Sequence, residues 1–326
     1  MISHRSPEMR TLLRKIEAGL QSFLNTKRDF LLLTTSGSGG LEAAVVNTLS
    51  PGDRVLGVSA GAFGNRFRSI AEAYGAEVEH LDFEWGRPVE ADRLRDALKK
   101  DQGYRAVLVT HNETSTGVTH PLEGVCRVIR EESEALILVD AVSSLGGIAL
   151  PLDDWGIDVV VTGSQKAWGA PPGVAMVGFS DRAWKASEKA TMPRFYLDLA
   201  RYRLSTGRKY PYTPAVSVFF ALEKSLELIL AEGAETVYER HARVGTLTRQ
   251  RIQSLGLPLV AEERFASNPV TAVWIPEQVD GKELVQTLRE NYDTEVGGGQ
   301  AHRAGRIFRI GHMGWVQEEE IHRTLS

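Results

Sequence analysis

The sequence is poor in the residues that build covalently cross-linked or metal-stabilised folds. Its 326 residues include one cysteine, Cys126, which excludes an intramolecular disulfide, a CxxC redox motif and a multi-cysteine zinc site. The eight histidines form no HExxH motif and no close pair at metal-ligand spacing, so no metal is expected. A chain of this length buries enough apolar surface to fold without such cross-links. Cys126 is expected to be a buried small hydrophobic residue.

A strong excess of charge of one sign and long hydrophobic runs are also missing. The 38 Lys and Arg residues against 42 Asp and Glu residues leave a net charge of −4, which provides no overall basic surface for nucleic acid. No apolar run is long enough to span a bilayer, and the first residues lack the apolar core of a signal peptide. The sequence therefore predicts a soluble cytoplasmic protein with no nucleic-acid or membrane partner.

Short apolar runs alternate with amphipathic stretches over the first 180 residues. Several runs, such as Ala106–Val109 and Asp158–Val161, consist mostly of β-branched residues or leucine. Such runs are typical of parallel strands that helices cover on both faces, so we expect an α/β fold with a mostly parallel, seven-stranded sheet. The predicted strands are Phe30–Thr34, Arg54–Val58, Glu77–Leu81, Arg105–Thr110, Leu136–Asp140, Ile157–Thr162 and Val174–Phe179.

The pattern changes after residue 210. It is helical from Thr213 to about Leu255, with Gly233 as a predicted break. A shorter α/β segment follows, with strands at Val270–Ile275 and Ile307–Ile310, a helix at Gly281–Asn291 and a turn at Gly297-Gly-Gly. We expect a large domain over residues 1–230, whose residues 1–25 form an N-terminal helical segment, and a smaller α+β domain over residues 231–326.

A glycine-rich segment follows the first predicted strand. Thr34-Thr-Ser36-Gly37-Ser38-Gly39-Gly40 precedes a helix, and small residues at a helix start let backbone N–H groups approach a phosphate. The segment lacks the Gly-Lys-Ser/Thr ending of a Walker loop, and it is a poor dinucleotide motif. A flexible loop with a capping serine explains these residues equally well.

Other polar residues follow the predicted strands at their carboxyl ends, where parallel sheets bind ligands. Asp140 can hold a protonated ring nitrogen or a metal, or it can cap a turn. Lys166 lies in an apolar, Gly/Pro-rich surround, which lowers the pKa of an ammonium and favours a nucleophilic amine. Phe63 can face a ring or lie in the core. Arg309, on an apolar strand, needs either a substrate carboxylate or an internal ion pair.

A hydrolase is the alternative from another class. Gly57-Val-Ser59-Ala-Gly61 follows a strand and precedes a helix, as in a nucleophile elbow. Asp140 with His302 or His312 would complete the chain order Ser, Asp, His. This hypothesis leaves Lys166 and the glycine-rich segment without a role.

Taken together, Ser36-Gly-Ser-Gly-Gly, Val139-Asp-Ala-Val-Ser-Ser, Gly163-Ser-Gln-Lys-Ala and Arg309-Ile-Gly-His-Met-Gly resemble segments of class V pyridoxal-phosphate aminotransferases, most closely the alanine–glyoxylate and serine–pyruvate group. The resemblance implies the PLP-dependent transferase fold of type I and a homodimer with its active site at the subunit interface. It also implies transfer of the amino group from alanine or serine to glyoxylate or pyruvate by a ping-pong mechanism.

The resemblance implies these site residues as well. Lys166 would bind pyridoxal 5'-phosphate covalently, Asp140 would pair with its ring nitrogen, and Arg309 would bind the substrate's α-carboxylate. Phe63 would stack on the cofactor ring, and Ser115 would bind its phenolic oxygen. The phosphate would be held by Ser36, Gly37, Ser38 and Gln165, and by Tyr210 and Thr213 from the neighbouring subunit.

The sequence departs from the family pattern at both ends. A Pro/Gly-rich segment that precedes His4-Arg-Ser-Pro in relatives is missing, and the chain stops soon after Arg309. A second expectation within the family is therefore a relative that binds the cofactor with weak or no turnover.

Overall fold

The computed structural model describes residues 2–100, 103–203 and 210–325. A seven-stranded sheet forms its centre, with the strand order β1-β9-β8-β7-β4-β2-β3. All of these strands run in one direction except β9, which is antiparallel to both β1 and β8. The mostly parallel sheet expected from the sequence is confirmed. Its strands are β1 (Asp29–Leu33), β2 (Arg54–Ser59), β3 (Glu77–Asp82), β4 (Ala106–Thr110), β7 (Leu136–Asp140), β8 (Val159–Gly163) and β9 (Ala175–Phe179), while β5 (Asn112–Glu113) and β6 (Val118–Thr119) pair separately.

Helices cover both faces of this sheet. The strands β4, β7, β8 and β9 are buried along their whole length, as their continuous apolar sequences predict. One face packs on α1 and α5 and the other on α2, and the two faces form separate apolar cores. Cys126 is buried in α5, as expected. The helices of this part are α1 (Pro7–Phe23), α2 (Gly37–Thr48), α3 (Ala62–Ala73), α4 (Ala91–Lys100), α5 (Leu122–Glu132), α6 (Asp181–Ser187) and α7 (Val216–Glu232).

A second sheet occupies the C-terminal part. Gly233, with a φ of +89°, ends α7 and begins α8 (Ala234–Ser254), which confirms the predicted break. The antiparallel strands β10 (Val270–Trp274), β11 (Gly297–Gly298) and β12 (Ile307–Gly311) pair in the order β10-β12-β11 and have their own apolar core. The prediction of a turn at Gly297-Gly-Gly is wrong for two of its residues, because β11 pairs with β12 there. The helices α9 (Gly281–Tyr292) and α10 (Glu318–Thr324) complete this part.

The domain boundary between residues 230 and 231 stays a prediction. Among the described residues, no helix is both long and apolar enough to cross a membrane. The carboxyl ends of β1, β2, β4, β7 and β8 lie at one edge of the large sheet, because these strands run in one direction. The side chains that follow them make the candidate site.

Candidate functional site

The glycine-rich segment forms the start of α2. Ser36 is the N-cap residue of α2, and its side chain makes no capping hydrogen bond. The helix start packs closely, because a Cβ on Gly37 would lie 2.8 Å from a methyl carbon of Val142 and one on Gly40 would lie 2.7 Å from a methyl carbon of Val161. Glycine is therefore needed at both positions for close packing, whether or not a phosphate binds there. This start provides the unpaired N–H groups that an anion requires at a helix N-terminus.

Asp140 ends β7 in a buried position. The backbone N–H of Val142 donates to its Oδ1 at 2.9 Å, and its side chain has no other hydrogen bond to a described residue. Burial, assisted by the charge of Glu113, raises the pKa of Asp140 to about 7, although the hydrogen bond from Val142 and the charges of Arg66 and Lys166 oppose the rise. A buried carboxylate with so few donors is suited to a cationic partner.

Lys166 lies in the turn that follows β8. Its backbone N–H donates to Gly163 O at 3.3 Å, and its own carbonyl accepts from Gly169 N at 2.9 Å. Burial lowers the pKa of the Lys166 ammonium; the charges of Arg309 and Arg66 lower it too, while Asp140 raises it. This environment favours the neutral amine, which is the form that attacks a carbonyl carbon.

Phe63 and Ser115 meet at the start of α3. Phe63 is the second residue of that helix and is half-buried. The Ser115 Oγ accepts from Ala62 N at 3.0 Å and donates to Glu113, so the hydroxyl is fixed in orientation. The two residues are neighbours although more than 50 positions separate them in the sequence.

Arg309 extends from β12 towards the edge of the large sheet. Its Nε donates to Gly298 O and its Nη1 donates to Thr114 O, each at 3.0 Å. None of the ion pairs between described residues involves Arg309, so the internal ion pair that the sequence left open is not formed there. Burial lowers the pKa of this guanidinium, whereas the charge of Glu113 raises it. Two carbonyls orient the group and leave its Nη2 for a carboxylate.

The three remaining residues expected at the phosphate, Gln165, Tyr210 and Thr213, differ in their surroundings. Gln165 Oε1 is buried and has no hydrogen-bond partner among the described residues. The hydroxyl of Tyr210 donates to Leu32 O at 2.8 Å within its own chain, and Thr213 is exposed. A buried amide oxygen without a partner is suited to a hydrogen-bond donor from a bound group. The intersubunit roles of Tyr210 and Thr213 stay predictions.

The geometry does not support a hydrolase. Ser59 is buried, and its Oγ donates to Asn65 Oδ1 at 2.7 Å. No described histidine forms a hydrogen bond with it: His312 pairs with Thr271, and the ring of His302 packs on Trp85. Without a base on the hydroxyl, Ser59 lacks the activation that a serine nucleophile needs.

Two charged residues of this region were missed by sequence reasoning. Arg66, on the first turns of α3, donates from Nη1 to Ser38 Oγ and stacks on Phe63. Glu113 is fully buried beside Ser115 and the start of α3. Arg66 follows Phe63 by three positions, one helical turn, and that spacing was the only available signal. For Glu113, the available signal was its position shortly after the carboxyl end of β4, where parallel sheets bind ligands.

A cavity of about 530 Å³ lies at the opposite edge of the large sheet. Its charges pair with one another, as in Arg28–Asp153, Arg130–Asp158 and Arg203–Asp29. We assign no ligand to it, because these charged lining groups already have partners.

Comparison with known proteins identifies the class. The family model "Aminotransferase class-V" matches residues 1–315, and the chain belongs to this family. It is 42% identical to the "Soluble hydrogenase, small subunit" of Synechococcus sp., covering 100% of this chain and 85% of that protein. It is 40% identical to the L-aspartate–glyoxylate aminotransferase of Paracoccus denitrificans, covering 96% and 81%. The solved structure of an alanine–glyoxylate aminotransferase from Nostoc sp. has a TM-score of 0.94 at 34% identity, covering 99% and 87%.

The chain is therefore a fold-type-I aminotransferase that depends on pyridoxal phosphate. The residues present fit this cofactor. The helix start at Ser36 suits a phosphate, and the buried carboxylate of Asp140 suits a protonated ring nitrogen. The resemblance stated from the sequence is confirmed, as are the fold and the cofactor.

Proposed function

We propose that this aminotransferase moves the amino group of a small L-amino acid, alanine or serine, to a small 2-oxo acid, glyoxylate or pyruvate. The observation that carries the proposal is the placement of Lys166 at the sheet edge, within electrostatic reach of both Asp140 and Arg309. The two related aminotransferases named above share glyoxylate and differ in the amino acid. This supports glyoxylate as the acceptor.

Each residue has a distinct task in the proposed reaction. Bound pyridoxal phosphate supplies a carbon that exchanges amines and a ring that withdraws electrons from the substrate's Cα. The ionised carboxylate of Asp140 holds a proton at the ring nitrogen, which increases this withdrawal. With the cofactor bound, the neutral Nζ of Lys166 would accept the proton from the substrate's Cα and deliver it to the cofactor carbon that exchanges amines. Arg309 binds the α-carboxylate of the donor and then of the acceptor, so one site serves both half-reactions of a ping-pong mechanism.

The cofactor contacts are proposed in the same way. Phe63 stacks on the ring, and Ser115 contacts the phenolic oxygen. The phosphate is held by Ser36, Gly37, Ser38 and Gln165, together with Tyr210 and Thr213 of the neighbouring subunit. This last assignment requires a homodimer, which sedimentation of the purified protein would test. A cytoplasmic location stays a prediction.

Reduction with borohydride tests the proposal directly. After reduction of the cofactor-loaded protein, peptide mapping should find the cofactor label fixed on Lys166. The variant Lys166→Ala should carry no label. Lys185→Ala, a substitution on α6, should be labelled like the unmodified chain. A label on another side chain would contradict the assignment.

An absorbance scan against a panel of amino acids tests the substrates. Alanine or serine should change the cofactor spectrum, and glyoxylate should restore it. If no donor changes the spectrum of cofactor bound to Lys166, the chain is a cofactor-binding relative without turnover.

The hydrogenase name of one relative does not give a second candidate. The described residues contain no group of three or more His, Cys, Asp or Glu side chains that could hold a metal ion, and the single cysteine is buried in α5. The donor set of the described residues therefore gives no support to redox metal chemistry.

A further inference from the structure

Glu113 is a buried carboxylate that the proposed reaction does not use. It lies on β5, is 0% exposed, and points at the start of α3. Its Oε2 accepts the backbone N–H groups of Phe63 and Gly64, each at 3.1 Å. Its Oε1 accepts the N–H of Ser115 at 3.2 Å and the hydroxyl of the same serine. One side chain thus binds both Phe63 and Ser115.

The start of α3 depends on these contacts. The N-cap residue of α3 is Gly61, which has no side chain, so the first N–H groups of the helix have no local acceptor. Ser115 Oγ takes the N–H of Ala62, and Glu113 takes those of Phe63 and Gly64. A negative charge is also favoured at this end of the helix dipole. Glu113 and Ser115 together cap the helix from a distant strand.

The donor pattern calls for an ionised carboxylate. Both oxygens of Glu113 face backbone N–H groups, so an amide or a protonated acid would place a donor against a donor. Burial raises the pKa of Glu113, and its hydrogen bonds to Ser115, Gly64 and Phe63 oppose that rise. An isosteric amide is therefore a sharp probe of this site.

Gly61 packs closely against the side chain of Glu113. A Cβ on Gly61 would lie 2.3 Å from both Cγ and Cδ of Glu113 and 2.7 Å from Oε2. All three atoms belong to the Glu113 side chain, which is buried and held by hydrogen bonds, so an added methyl group must displace the carboxylate relative to the start of α3. Gly61→Ala thus moves the carboxylate without removing its charge.

We propose that Glu113 is a positioning residue for the cofactor ring, because it fixes the backbone of Phe63 and the hydroxyl of Ser115 in one arrangement. This inference rests on the proposed function, which assigns Phe63 to the ring face and Ser115 to the phenolic oxygen. It predicts that loss of the carboxylate changes how the ring is held and not only how stable the fold is.

The experiment compares Glu113→Gln, Gly61→Ala and a control, Ser180→Ala. Ser180 caps α6 by accepting from Ala183 N, so the control removes a helix cap far from the site. Three quantities are measured for each protein: the Kd of the apoprotein for pyridoxal phosphate by tryptophan fluorescence, the circular dichroism induced in the bound cofactor, and the Tm. Both site variants should bind the cofactor at least about tenfold more weakly, as expected for loss of one charge-assisted hydrogen bond. They should also show weaker induced dichroism per bound cofactor, whereas Ser180→Ala should lower the Tm alone.

The outcomes separate the two proposals. If both site variants lose Tm but keep the Kd and the induced dichroism of the unmodified chain, Glu113 is a structural cap and the inference is wrong. If Glu113→Gln does not fold, the result for Gly61→Ala decides. Borohydride labelling of the unmodified chain is run alongside. Absence of label on Lys166 would overturn the proposed function and this inference with it, whereas label on Lys166 with unaltered site variants would overturn the inference alone.

Discussion

Arg66 donates a hydrogen bond from Nη1 to the Oγ of Ser38 at 3.4 Å, which links the first turns of α3 to the start of α2. The Cζ of the same guanidinium lies 4.9 Å from the centroid of the Phe63 ring. Its charge lowers the pKa of both Asp140 and Lys166. Arg66 therefore connects the helix start assigned to the phosphate with the residue assigned to the ring.

Replacing Arg66 with methionine should weaken binding of pyridoxal phosphate by about 10- to 100-fold, because hydrogen bonds to charged groups contribute about 1.5–3 kcal/mol. Binding of pyridoxal, which has no phosphate, should change much less. Fluorescence titration of the apoprotein with each compound measures both affinities. Arg66→Lys keeps the positive charge and should therefore lose less affinity for pyridoxal phosphate. Equal losses for both compounds would show that Arg66 does not act on the phosphate.

Replacing Arg309 with glutamine should raise the KM for the amino donor and for the oxo acid about 100-fold or more, because both substrates present a carboxylate to the guanidinium. Cofactor affinity should stay close to that of the unmodified chain. Steady-state kinetics with each substrate varied in turn would measure the effect. Arg306→Gln, three positions earlier and exposed, is the matched control and should leave both KM values unchanged. An unchanged KM in Arg309→Gln would remove this residue from the substrate site.

The sequence was sufficient to predict most of the large sheet, because its strands are continuous apolar runs. The run Val174–Phe179 was predicted as a strand, but the antiparallel direction of the observed strand Ala175–Phe179 was not. A strand buried on both faces has the same composition whichever way it runs, so periodicity contains no information about direction. The short strand at Gly297–Gly298 was missed because glycine favours turns, and it forms there through pairing with β12.

The site could be predicted only in part. Asp140 and Lys166 were found because each follows a strand at its carboxyl end, within motifs typical of the family. Glu113 also follows a strand, but its partners Phe63 and Gly64 lie about 50 positions earlier, and no local pattern shows that pairing. Arg66 is exposed in the single chain and has the sequence context of an ordinary helix-surface arginine. Long-range contacts of this kind become visible only in the fold.

Replacing Asp140 with asparagine should make the apoprotein less sensitive to pH. Burial raises the pKa of Asp140 to about 7 in the folded state, above the value near 4 of an unfolded aspartate, so the folded state holds this proton more tightly. The apoprotein should lose stability as the pH rises from about 4 through 7, by at most about 4 kcal/mol, because one pKa unit corresponds to about 1.4 kcal/mol. Urea unfolding at pH 5 and pH 8 measures this loss.

Asparagine does not titrate and can still accept from Val142 N, so Asp140→Asn should stabilise the apoprotein at pH 8 relative to the unmodified chain. At pH 5 the stabilisation should be smaller, because the carboxyl group of Asp140 is still protonated in the folded state there. Asp293→Asn, an exposed residue in the left-handed region that asparagine tolerates, is the control and should leave the pH dependence unchanged. An equal pH dependence in Asp140→Asn and the unmodified chain would refute the assigned titration.

Replacing Gly169 with alanine should destabilise the protein through one identifiable contact. Gly169 has a φ of +61°, and a Cβ there would lie 2.3 Å from Nε1 of Trp315, whose N–H donates to Gly169 O at 3.1 Å. Gly256→Ala is the matched control, since its φ is +75° and nothing lies within 4 Å of the added Cβ. The control should lose about 1 kcal/mol from the backbone conformation alone, and Gly169→Ala should lose about 1–3 kcal/mol more because of the clash. Urea unfolding gives both values. Combining Gly169→Ala with Trp315→Ala removes the clashing ring, so the double variant should recover part of the extra loss; strictly additive losses would mean that the two residues are not coupled.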